Sequence, residues 1–367
     1  MHYFIFPSQD TWISSGSNTI NGETFTDQNF GKDQILEVKK HFFNRSFDHQ
    51  TRALVNFSGT NFNTLSQSIV DGDISSNAKF YLKMFEAQGN SDLSTDYTLA
   101  IQPVSESWTE GQGKFEDNPK TTNGCSFKNR SFPDGGSEIS WATAGGSVLN
   151  VSASHQTFSH QSPDIEVEVT DMVNMWLSNQ YTNYGMLIRF SGSQETDSST
   201  TGKMRFFSKD SSTIYAPRLE ARWDGHLPCT GSNTGSLSEL DVSGNTDNFI
   251  YTIGLQDKYK ETEVPKFRIG ARKQYIQKTF TNSFQTTSGS FIPEGSGSYA
   301  IQDVATGQMV IDFSSNTKLS CDTKSNYFTE YMNGFYPDRT YKILIKVTYN
   351  DSQEQIFDND FEFKIVR

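Results

Sequence analysis

A chain of 367 residues exceeds the usual single domain, so two domains are the expectation. Only 34% of it is hydrophobic, but aromatics reach 13%, with 29 Phe and 15 Tyr; rings bury the most area per residue and favour strands, so the low fraction does not imply disorder. A net charge of −12 without a basic block excludes nucleic-acid or anionic-membrane binding by a whole-protein field, and no apolar run approaches the ~18 residues that span a bilayer.

The opening MHYFIFPSQDTW lacks a basic stretch followed by a long apolar run, so no secretory signal is expected. Residues 2–14 read as a first strand anchored by Phe4, Phe6, Trp12 and Ile13 and interrupted by Pro7. A turn-rich stretch follows to Phe30, then strands at 31–38, 52–57, 78–85 and 98–104, with a turn at 69–74. Residues 105–163 are the least regular. Aromatics alternate there with Gly, Pro and Asn, which predicts long loops pinned to a sandwich by Trp108, Phe115, Phe127 and Trp141. Such loops either contact a partner or cover a sheet face. A short edge strand is expected at 147–154.

Residues 164–223 organise the first half. Asp164, Glu166 and Glu168 alternate with Ile165, Val167 and Val169, a half-buried strand with a solvated acidic face. The period then changes: Val173, Trp176 and Leu177 share one helical face with Met172 beside it, Thr170 or Asp171 can cap the start, and Gly185 can take the positive φ of a stop. Met186–Ile188 begin the next strand, so one short helix interrupts a run of strands. Residues 226–247 are rich in Gly, Ser, Thr and Asn and read as a linker. Residues 248–367 offer strands at 249–255, 265–272, 299–303, 309–313, 327–332, 339–349 and 355–366, with turns at Pro293–Gly297 and Asn333–Gly334. This spacing predicts an immunoglobulin-like sandwich. The fold class is therefore all-β, two tandem β-sandwich domains: 1–225, a linker at 226–247, and 248–367.

No GxSxG, SxxK, HExxH or P-loop pattern occurs, so no catalytic residue, cofactor site or metal-ligand set is assigned. His155 and His160 sit five apart in a polar loop, a poor ligand spacing. Glu106 and Glu110 flank Trp108, with Glu116 and Asp117 following. Glycoside cleavage needs two acids facing each other ~5–10 Å apart, and 43 acidic residues make such clusters by chance. Asp241, Ser243, Asn245 and Asp247 alternate like an oxygen-ligand calcium loop, but Gly244 falls too early and Thr252 stands where the bidentate acid belongs. Cys125, Cys229 and Cys321 show no CxxC or Cys/His spacing; the odd, sparse count argues against a disulfide framework and fits a reducing cytoplasm, one disulfide being the alternative. Trp12, Trp176 and Trp223 fall in strands or on the helix core face. Trp108 and Trp141 remain as candidate glycan or partner contacts, against a plain role in loop pinning.

The ordered pieces DTWISSG, NFGKDQILEV, RALVNF, AKFYLKMF, PVSESWTEG, VTDMVNMW, NYGMLIRF, FFSKD and APRLEARW resemble the so-called DNRLRE module over roughly the first 225 residues. That resemblance implies a jelly-roll, carbohydrate-binding-like β-sandwich, as in some extracellular polysaccharide enzymes and in virion proteins of tailed phages. Sandwiches of this type often hold a structural calcium, whose ligands are not assignable here. The pieces FRIGARKQY, YAIQDVATG and TKLSCDTKSNYFTEYMNGFYPDRTYKILIKV resemble C-terminal domains of tailed-phage virion proteins. The resemblances imply a non-enzymatic virion component of neck, tail or baseplate. Its partners would be other virion proteins and copies of itself, with no nucleic acid or membrane partner. A glycan-binding module for host surface sugar is the second expectation, and a polysaccharide-degrading enzyme the third.

Overall fold

The computed structural model describes residues 1–16, 24–43, 47–88, 96–159, 164–197, 200–243, 247–275, 280, 289–350 and 352–367. The fold is all-β, built of several curled sheets with two α-helices among the described residues. No helix among them is long and apolar enough to cross a membrane. The chain divides into two units, Phe4–Ala221 and Arg222–Arg367, the second including Met1–Tyr3.

A four-stranded sheet, mostly of first-unit residues, runs in the order His2–Ile5, Arg218–Arg222, Lys79–Met84, Ile165–Glu168. An eight-stranded sheet contains Ser154–Ser159, Asp96–Pro103, Met186–Phe190, Phe47–Asn56, Ile35–Phe43, Gly202–Phe207 and Glu86–Gln88, with Gln9–Ser14 also paired to Phe47–Asn56. Alternation builds these strands: Phe80, Leu82 and Met84 are buried while Lys79 is exposed, and Ile165 and Val167 are buried between exposed Asp164, Glu166 and Glu168. The two sheets are tied in two places. Gln156 Nε2 donates to Asp164 O at 3.0 Å and its Oε1 accepts the Glu166 N–H at 2.8 Å. Elsewhere the chain passes directly from Lys79–Met84, inside the four-stranded sheet, to Glu86–Gln88 at one edge of the other.

Helix α2, Thr170–Leu177, buries Met172, Val173 and Trp176 as its spacing predicts, and Gly185 has φ +89°. Its cap differs from expectation: Val169 is the N-cap, and Thr170 Oγ1 instead accepts the Phe80 N–H at 3.0 Å, tying helix to sheet. The expectation of a single helix also fails. Helix α1, Thr60–Val70, buries Phe62 and Leu65, and Phe62 meets Trp176 edge-on at 6.1 Å. The edge strand expected at 147–154 lies instead at Ser154–Ser159.

The second unit is a two-sheet sandwich. One sheet runs Ser238–Glu239, Ser290–Phe291, Lys266–Lys273, Asn326–Thr329, Ser320–Cys321, with Asn248–Ile253 along Lys266–Lys273. The other runs Lys258–Lys260, Glu354–Val366, Thr340–Thr348, Gly297–Asp303, Met309–Ile311. Rings join them: Tyr299 stacks on Phe328 at 3.8 Å, and Phe267 lies 5.3 Å from Phe363. The strand expected over 327–332 ends at Thr329, because Met332–Gly334 turns as a 3-10 helix.

The linker expected at 226–247 is part of this sandwich. Leu240 and Val242 are buried, Ser238–Glu239 pairs in parallel with Ser290–Phe291, and Cys229 is joined to Cys321 by a disulfide. That disulfide also corrects the expectation of unpaired cysteines. The two are 92 apart in sequence, but Leu227 lies against the Ser320–Cys321 strand, its N–H on Ser320 Oγ at 3.0 Å and its C=O on the Cys321 N–H at 3.3 Å. Polar composition marked exposed turns here, not a free tether.

Candidate functional site

Trp108 and Trp141 do not offer ring faces. They are 6% and 5% exposed and share a core cluster with Ile13, Leu54, Val104, Cys125 and Leu187. Their indole N–H groups donate to Tyr184 O at 2.8 Å and Ser126 O at 2.9 Å. An indole so placed satisfies its one donor and buries its whole body, so both residues pin loops. As glycan contacts they are corrected.

The loop they pin is ordered from within. Asn29, fully buried, donates through Nδ2 to Glu110 O and Cys125 O, both at 2.7 Å, and accepts the Gly31 and Gly113 N–H groups on Oδ1. Gly111 has φ +85°, and a Cβ there would stand 2.3 Å from Asn29 Oδ1, so only glycine lets the loop approach. What this loop presents outward is Phe115, 52% exposed. It ends an aromatic cluster in which Trp12 stacks on Phe30 at 3.8 Å and Phe115 lies 6.1 Å from Trp12. Asp33 fixes the arrangement, accepting the Trp12 indole N–H at 2.8 Å and the Phe115 backbone N–H at 3.0 Å.

Beside it, Asp10, Glu110 and Asp210 bring carboxylate oxygens within 4.8 Å of one another. Lys209 Nζ lies 2.8 Å from Glu110 and 3.1 Å from Asp210, and Lys32 Nζ lies 3.1 Å and 3.3 Å from the same two. Ammonium groups thus stand where a calcium would, and these residues do not fit one. Asp10 is the unusual member. Its Oδ2 accepts the Lys209 N–H at 2.7 Å, its Oδ1 has no hydrogen-bond partner, and burial pushes its carboxyl up to about 7.

The remaining acids are dispersed. Glu106 accepts the Ala142 N–H at 2.9 Å, Asp117 accepts the Thr121 hydroxyl at 2.6 Å, and Glu116 is exposed. His155 is exposed, and His160 lies outside the described residues, as do Gly244 and Asn245 of the calcium-like spacing. Asp241 Oδ1 is used by the Ser243 N–H and hydroxyl. His226, Cys229 and Glu294 also cluster, but Cys229 is disulfide-bonded and offers no thiolate. Cys125 is a buried free thiol, its pKa raised by burial.

The second unit carries features that the sequence did not mark. Glu330, fully buried, accepts the His2 backbone N–H at 2.8 Å, pairs with His2 Nδ1 at 2.9 Å and accepts the Tyr299 hydroxyl. Burial works to raise its pKa, but the His2 charge and these hydrogen bonds outweigh it and hold the carboxyl below its ordinary range. On the outward side of the six-stranded sheet, Phe249, Tyr251 and Ile253 stand opposite Arg272, Gly270 and Arg268. A recess of about 180 Å³ near that sheet is lined by Lys266, Tyr327, Thr329, Lys318 and His226 among others. Period-two alternation on Asn248–Ile253 could have flagged this face, since both of its faces carry apolar residues.

No protein-family model matches the chain, and no curated protein matches it.

Proposed function

We propose that the chain is a non-enzymatic structural protein of a tailed-bacteriophage particle, a neck, tail or baseplate component working through contacts with other virion proteins and copies of itself. The sequence resemblances motivate this reading, and one observation carries it: Phe115 stands half exposed on a loop held rigid by Asn29, Asp33 and two buried tryptophans. A protruding ring whose backbone is already ordered loses little entropy when a neighbour covers it, the pattern of an interface anchor. The Cys229–Cys321 disulfide suits a protein that ends up outside a reducing cytoplasm. A second reading, glycan recognition, now draws on the Phe249–Tyr251 face and not on the tryptophans.

The test is incorporation. Mass spectrometry of purified particles finds the chain at many copies per particle under this reading. Phe115→Ala stays folded but melts somewhat lower, since it gives up ring contacts with Trp12, Phe25 and Phe30, and incorporation is therefore compared at a temperature where both proteins are folded. Its incorporation falls, because loss of an anchor costs roughly 2 kcal/mol or more of contact energy. A chain absent from the particles, or a Phe115→Ala variant incorporated at the normal level, rejects the proposal.

A further inference from the structure

We infer that the outward face of the six-stranded sheet in the second unit binds an acidic, uronate-bearing polysaccharide. Directly opposed residues of an antiparallel pair share a face, so Phe249, Tyr251 and Ile253 lie in one layer with Arg272, Gly270 and Arg268. Gly270 decides the shape of that layer. A Cβ there would meet Tyr251 Cζ at 2.3 Å, so the tyrosine ring lies flat across the glycine. Phe249 follows it at 6.0 Å between centroids with 23° between planes, and is 39% exposed. Two nearly parallel rings, one after the other along the strand, give this face an aromatic row against which the apolar faces of sugar rings can pack.

Charge names the class of sugar. Arg272 lies 4.5 Å over the Phe249 ring and Lys266 4.0 Å over Tyr327. Arg268, between them, is held by Asp322 at 2.8 Å and 2.9 Å. Among the described residues neither Arg272 nor Lys266 has a carboxylate partner, although the chain carries 43 acidic groups against 31 basic ones. Two unneutralised cations beside a ring platform, on a protein of net charge −12, are complementary to a carboxylate-bearing glycan. A second copy docked face to face would set the same cations against each other. The face belongs to the second unit, outside the stretch that resembles a carbohydrate-binding module, and the inference does not depend on the virion reading.

The experiment uses the full chain in native gels containing alginate, a polyuronate, or neutral dextran. It adds a single-stranded DNA oligonucleotide shift and sedimentation of the protein alone. Alginate retards the protein, added salt weakens the retardation, and dextran has no effect. Tyr251→Ala and Arg272→Gln each weaken alginate binding about ten-fold, as expected for losing a stacked ring or a charge-assisted contact. Tyr251→Phe retains binding, which separates the ring from folding damage, and Lys128→Gln, an exposed cation of the first unit, leaves binding unchanged. Absence of alginate retardation, equal retardation by dextran, preferential DNA binding, a dimer lost in Phe249→Ala, or unchanged binding by folded Tyr251→Ala and Arg272→Gln each overturns the inference. Particle incorporation measured on the same variants separates failure here from failure of the virion proposal.

Discussion

Asp10 lies on the Gln9–Ser14 strand with 1% of its surface exposed, among Glu110, Asp210 and two lysines. Burial first, and then the neighbouring Glu110 and Asp210 charges, raise its carboxyl pKa from 3.8 to about 7, against the pull of Lys209. The folded chain therefore keeps a proton that the unfolded chain releases between those values. The sign follows: stability falls as pH rises from about 4 to about 7, by an amount on the order of 4 kcal/mol. Asp10→Asn removes the titration while its amide oxygen can still accept the Lys209 N–H. Thermal melts of the variant and the parent should nearly coincide near pH 4, and the variant should melt higher at pH 8. Equal pH slopes for the two proteins would show that Asp10 is ionised and satisfied in the fold. None of this was legible in the sequence. Asp10, Glu110 and Asp210 are spread over the chain, and only the fold brings their charges together. Trp176 and Gly185, by contrast, were readable, because helical spacing and a left-handed turn are local requirements.

At the scale of elements, local pattern decided what could be read. Helix α2 and the strand before it were clear because the apolar period switches there. Helix α1 was missed although Phe62, Leu65 and Ile69 keep helical spacing, because Asn, Ser, Thr and Gln surround them and compete with the backbone for hydrogen bonds. In the 105–163 stretch Trp108 and Trp141 pin as read, but Phe115, expected as a pin, is 52% exposed, and Ser154–Ser159 is a strand; what covers the two indoles could not be read because Ile13, Leu54 and Leu187 come from distant strands. The 226–247 segment shows the same limit, since its packing depends on Cys229 meeting Cys321 and Ser238–Glu239 meeting Ser290–Phe291. The disulfide closes a loop of sequence separation 92, for which the chain-entropy estimate is about 4 to 5 kcal/mol. Replacing Cys229 and Cys321 together by serine should lower the denaturant midpoint of the second unit, followed by hydrogen exchange in Lys266–Lys273. Reductant should lower it in the parent and leave the variant unmoved. A midpoint unaffected by both would mean that the packing of Leu240 and Val242 alone holds the segment.

For the whole molecule, the all-β class was readable from aromatic strand pattern and composition, and the chain divides at Arg222. The placement of Met1–Tyr3 with the second unit was not, because its contacts lie more than 200 residues away: the Met1 ammonium donates to Trp223 O and Asn316 O, Tyr3 meets Tyr331, and His2 meets the buried Glu330. Glu330 is fully buried, and His2 supplies it with a backbone N–H and an imidazole nitrogen. Breaking a buried pair by removing one partner typically costs 3–5 kcal/mol, since the other charge stays behind in a poorly solvating place. A chain lacking residues 1–3 should therefore loosen the second unit around Gly297–Asp303, which carries Tyr299, and Asn326–Thr329, which runs into Glu330. Lys79–Met84 in the first unit should keep its protection, although it is far closer in sequence to the deletion. Hydrogen-exchange mass spectrometry on the two chains reads this directly. Adding Glu330→Gln should restore part of the lost protection in the shortened chain and reduce protection in the full one. The sign reverses because an amide tolerates the loss of His2 better than a carboxylate does. If Glu330→Gln weakens both chains equally, Glu330 is satisfied without His2, and the first strand joins the second unit for some other reason.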